Sequence, residues 1–205
     1  MEPLHAHSRA EARMYLMVTP CPNCSDGPWE ITAEQANVET GQPNRMLLAR
    51  CVHCRAEKKF LFDWSQSDQA EERSDEPPIS SLELINSSPD TSRIIDVGQW
   101  LSLFYMLVEK ASVAKDVDTR RVGFHAAQCL DEALKFYTED DELPPKSAFF
   151  VASSRQAFAE HPEKFARQRL RDMRSKLPNL QVMVRRIMLD ETKGPKKKWW
   201  QFWKR

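Results

Sequence analysis

Two Cys-x-x-Cys pairs, Cys21-Pro22-Asn23-Cys24 and Cys51-Val52-His53-Cys54, constrain this chain more than any other feature, and 26 residues lie between them. Each pair forms a turn that can aim two sulfurs at one point. Two such turns, joined by a hairpin, offer four thiolates to a single cation. Zn²⁺ takes four such ligands in a tetrahedron with bonds of about 2.3 Å. A filled shell leaves no position for water, so the expectation is one structural Zn²⁺ held by Cys21, Cys24, Cys51 and Cys54. The competing readings are four unrelated thiols or a pair of disulfides, and disulfides belong in oxidising compartments. Here the only early apolar run, Met14–Val18, is short and flanked by charge and Pro20. No secretory signal is expected, and the chain is placed in the cytoplasm, where paired cysteines serve metals. A thioredoxin-like role would need a βαβ pattern, which neither pair has. The fifth cysteine, Cys129, falls on the apolar stripe of a helix and is expected to be a buried thiol.

The residues around the pairs have a strand-like pattern. Arg13–Thr19, Trp29–Thr32, Arg45–Arg50 and Glu57–Trp64 are expected as short strands, with Ala33–Pro43 as an exposed loop. In the last of these, Phe60, Phe62 and Trp64 share one face, as period-two alternation requires. Strands this short bury little apolar surface, so metal binding would supply much of their folding free energy. Over about residues 13–64 the pairs and strands resemble the zinc-ribbon class. The resemblance implies a four-cysteine zinc site on a small antiparallel sheet; it implies no particular function, because the motif serves many. The chain departs from the pattern twice. Ser25 and Arg55 stand just after the second cysteine of each pair, where glycine is common, and the spacer is longer than the usual 15–20 residues.

The expected fold class is therefore α+β: an antiparallel zinc ribbon in residues 1–64, an acidic linker in 65–92, a helical domain of about five helices in 93–190, and a basic aromatic tail in 191–205. The linker is rich in Ser, Asp, Glu and Pro, with Ile79, Leu82, Leu84 and Ile85 as one short docking element. From Asp96 the period becomes helical. Asp96 and Gln99 form a capping box ahead of Val97, Trp100, Leu101, Phe104 and Val108. Further helices are expected over Thr119–Thr138, Lys146–Glu160, from Pro162 to Leu177, and over Asn179–Asp190, with short antiparallel connections.

Formal net charge is zero, but it is unevenly spread: residues 162–205 carry fourteen Lys and Arg against four Asp and Glu. The tail concentrates this in Lys196, Lys197, Lys198, Trp199, Trp200, Phe202, Trp203, Lys204 and Arg205. Four large aromatic rings among cations need a surface to cover them. The candidates are a protein partner or the chain's own domain, an anionic membrane surface, and single-stranded nucleic acid. There is no Gly-rich phosphate loop, HExxH or GxSxG. The expected function is a non-enzymatic zinc-binding adaptor or interaction protein. The alternatives are a nucleic-acid-binding protein and a peripheral membrane protein held by its tail.

Overall fold

The computed structural model describes residues 2–37, 44–63, 84–113, 117–138 and 140–177. The front of the chain carries a four-stranded sheet of order β1-β4-β3-β2, with β1 Leu4–His5, β2 Trp29–Asn37, β3 Asn44–Cys51 and β4 Glu57–Asp63. Strands β2, β3 and β4 pair antiparallel, whereas β1 lies parallel to β4, so the sheet is mixed and not purely antiparallel as the sequence suggested. Strand β2 also runs on to Asn37, through an irregularity between Ile31 and Ala33. The expected loop from Ala33 is thus strand at its start; residues 38–43 lie outside the described set.

The largest correction concerns residues 13–19, expected as a strand. They belong to helix α1, Arg9–Val18, whose N-cap Ser8 accepts a hydrogen bond from the Glu11 N–H at 3.0 Å. Ala10, Ala12, Met14 and Leu16 are all buried, which in sequence looks like alternation. In the helix, Ala10 and Met14 face one apolar cluster while Ala12 and Leu16 face another. A helix buried on two sides shows two i, i+4 stripes, and together these mimic period two. Thr19 then donates its hydroxyl to the Tyr15 carbonyl at 2.6 Å, and Pro20 follows.

One cluster joins α1 to the sheet. Tyr15 meets Phe62 edge-on at 5.9 Å between ring centres, and Trp29 meets Phe60 in the same way at 5.3 Å. The other cluster joins α1 to helices α2 Val97–Val113, α3 Val117–Leu134, α4 Ala152–Glu160 and α5 Arg167–Ser175. Trp100, Leu103, Leu130 and Leu170 are fully buried in it. The expected capping box at α2 is present: Asp96 Oδ1 accepts from the Gln99 N–H, and Gln99 Oε1 accepts from the Asp96 N–H. None of the described helices is long and apolar enough to cross a membrane.

Two expected helices are each divided. In Lys146–Glu160 a 3-10 turn, Lys146–Ala148, is separated from α4 by extended residues, because the Phe150 and Val151 N–H groups donate to Asp96 Oδ2 at 2.8 and 3.0 Å. Those N–H groups are then not available to a continuous helix. After His161, a 3-10 turn Pro162–Phe165 precedes α5, and Tyr137 donates its hydroxyl to the Phe165 carbonyl at the break. Helix α3 ends at Leu134, short of the expected Thr138, and closes in i→i+3 bonds from Lys135, Phe136 and Tyr137. The helix expected over Asn179–Asp190 lies outside the described residues.

Of the acidic segment, residues 84–92 are described. Ile85 is fully buried while Leu84 is exposed. Ile85 is clamped from both sides: Ser8 donates its hydroxyl to the Ile85 carbonyl at 2.6 Å, and the Ile85 N–H donates to Gln128 Oε1 at 2.7 Å. Beyond it, Lys135 donates to the Ser88 carbonyl at 2.7 Å.

Candidate metal centre

Each cysteine pair sits where a regular element hands over to a turn. Cys21 lies just past the end of α1, and β2 begins soon after Cys24. Cys51 is the last residue of β3, and β4 begins soon after Cys54. The β2–β3 register sets Trp29 opposite Cys51, and the Val52 N–H donates across to the Pro28 carbonyl at 3.1 Å. The sheet thereby holds the two turns side by side.

The turns repeat the same hydrogen bonds. Ser25 N–H donates to the Cys21 carbonyl at 2.8 Å, and Arg55 N–H to the Cys51 carbonyl at 3.0 Å. The N–H groups of Cys21 and Cys51 donate to the carbonyls of Asp26 and Ala56, five residues on. Closing such a turn takes the residue after the second cysteine into the left-handed region: φ is 63° at Ser25 and 64° at Arg55. These are the two positions where the sequence lacks the usual glycine. The chain adopts the turn nonetheless, at about 1 kcal/mol or more of local strain per residue.

The result is a single group of four sulfurs, all within 4.8 Å of one another. Cys21 Sγ lies 3.6 Å from Cys54 Sγ, and Cys24 Sγ lies 3.7 Å from Cys51 Sγ. The close contacts run between the turns, and all four cysteines are free thiols. Both distances far exceed the ~2.05 Å of a disulfide. The four cysteines thus cluster as a group that can hold a metal ion, compatible with a zinc-ribbon-like motif. Cys21 and Cys51 are buried, Cys24 is half-buried and Cys54 is exposed.

The protons of the group are tied together. The Asp26 N–H draws the Cys24 thiol down, but burial and the three neighbouring sulfurs push it up to about 12. At Cys51 the N–H groups of Cys54 and His53 prevail over burial and bring the thiol down to about 7. Cys54 is helped downward by the Ala56 N–H, yet burial and the Cys21 and Cys51 sulfurs leave it raised. Four thiolates at this spacing need a compensating cation.

The spacing rule found all four donors. The N–H groups of His53 and Cys54 lie within the second turn, as expected of a Cys-x-x-Cys turn folding around its sulfurs, whereas those of Asp26 and Ala56 lie beyond the pairs, where the spacing gives no signal. Cys129 is fully buried on α3, and burial pushes its thiol up, with the Glu132 and Asp131 charges adding to the effect. The tail residues Lys196 to Lys198, Trp199, Trp200, Phe202, Trp203, Lys204 and Arg205 lie outside the described residues. No protein-family model matches the chain, and neither a curated protein nor a solved structure matches it significantly.

Proposed function

We propose that Cys21, Cys24, Cys51 and Cys54 hold one structural Zn²⁺, and that the protein is a non-enzymatic adaptor that presents its braced surfaces to a protein partner. The observation that supports this most is the closed donor set. A tetrahedron of sulfurs at about 2.3 Å from a central ion has edges of about 3.8 Å, close to the 3.6 and 3.7 Å across the two turns. Four thiolates suit zinc and exclude hard cations such as Mg²⁺ and Ca²⁺. A complete shell leaves no position at which the ion could activate water. Elemental analysis of purified protein should return one zinc per chain. Metal-free protein in which the sheet is fully folded would overturn the assignment.

Zinc affinity should weaken in acid. Without the ion, Cys24 near 12 and the raised Cys54 are protonated at neutral pH, and binding must displace both protons. Lower pH favours the protonated, empty set, so affinity should fall by at least about 100-fold from about pH 7 to about pH 6, with the Cys51 thiol, at about 7, adding to the loss. Competition with a chromophoric chelator at pH 7 and pH 6 measures this.

For the adaptor role, affinity purification of full-length and tail-deleted protein, with nuclease and detergent controls, should retain a protein partner in high salt. A second reading, nucleic-acid binding, draws on the exposed His53, Arg55, Lys58 and Lys59 around the second turn. It predicts oligonucleotide binding that falls steeply with added salt. Loss of all bound material on nuclease treatment would favour it over the adaptor.

A further inference from the structure

A half-open cavity of about 320 Å³ lies between α2, α4 and the 162–165 turn, well away in sequence from the cysteines. Helices α2 and α4 cross closely where Gly98 and Ser154 line it: a Cβ at Gly98 would stand 2.5 Å from Ser154 Oγ. Leu101 and Phe165, both buried, supply an apolar floor. Ser153, Tyr105, His161 and Lys164 also line it, and among the described residues no Asp or Glu does. His161 Nδ1 is 3.3 Å from Glu163, but the Lys164 ammonium and the Ser153 hydroxyl have no partner among the described residues. Among the described residues the Tyr105 hydroxyl reaches only the Met173 sulfur, at 3.9 Å.

The lining therefore combines apolar surface with uncommitted donors and positive charge. An anion can use such donors in charge-assisted hydrogen bonds, whereas a cation would meet like charge. The volume is at the lower end for small-molecule sites, about 300–1,000 Å³. We propose that this cavity binds a small carboxylic acid with a compact apolar body. The body rests on Leu101 and Phe165, and the carboxylate faces Lys164 and Ser153.

The probe is 4-phenylbutanoate, titrated into ¹⁵N-labelled full-length protein, with 4-phenylbutanamide as the uncharged control. Saturable shifts should centre on the amides of Ser102, Tyr105, Ser153 and Lys164, and the amide ligand should bind at least tenfold more weakly. Lys164→Glu should weaken the acid at least tenfold while Lys164→Arg retains it, and Ala157→Trp should block the site, with helical circular dichroism unchanged in all three. Shifts scattered over the surface, absence of saturation, or equal binding of acid and amide would overturn the proposal. So would binding that appears only after residues 191–205 are deleted, since the cavity would then belong to the chain's own tail.

Discussion

The sheet and the helical unit are held in different ways. The sheet has a small apolar cluster, built around Trp29, Leu47, Phe60 and Phe62, and its turns converge on four sulfurs. The helical unit has a larger cluster, and its polar organiser is one carboxylate: Asp96 accepts from Gln99, Phe150, Val151 and Ser154 while fully buried. Asp96 thus fastens the starts of α2 and α4 together, much as an ion would fasten the two cysteine turns. A region with enough apolar surface can be closed by a side chain, while a region with little needs a stronger centre. Helix α1 serves both, with Leu16 on one side and Met14 on the other.

The sharpest way to break the comparison is Cys24→Ser or Cys54→Ser. Either should lose essentially all bound metal and unfold the sheet, while α2 to α5 keep most of their helical signal at a lowered melting temperature. Complete loss of helix in step with the metal would show that the two regions are one cooperative unit. Next comes Asp96→Ala, which orphans two buried donors, the Gln99 N–H and the Ser154 hydroxyl, and two part-buried ones, the Phe150 and Val151 N–H groups. It should destabilise the helical unit by about 3–5 kcal/mol with metal content unchanged. Denaturant titration followed by circular dichroism, alongside zinc analysis, separates the two effects.

Leu16→Ala should remove about 2–4 kcal/mol. Its effect should appear first in the sheet, whereas Met14→Ala should appear first in the helices; hydrogen exchange on β4 and α3 tells them apart. The smallest effect is a gain. Arg55→Gly relieves a left-handed residue and should raise the stability of the metal-loaded protein by about 1 kcal/mol. A decrease would mean that the arginine side chain contributes more than its backbone strain removes.

What was readable in the sequence was local. The Asp96–Gln99 box spans four residues, the cysteine pairs advertise themselves by spacing, and β3 and β4 carry their own alternation. What was hidden depended on partners far along the chain. Nothing near Phe150 reveals that its N–H belongs to a carboxylate 54 residues earlier. Likewise the α1 residues look strand-like until the second cluster on their other side is known, and β1 is too short to advertise its parallel pairing with β4.

The uneven exposure of the four cysteines sets a direction for exchange. With Cys21 and Cys51 walled in by the sheet cluster, a competing chelator meets Cys54 first. Departure of an ion held there would begin at that sulfur and finish at the enclosed pair. Residence time would then follow access to one outer ligand, and crowding the Cys54 side would slow release without tightening the equilibrium.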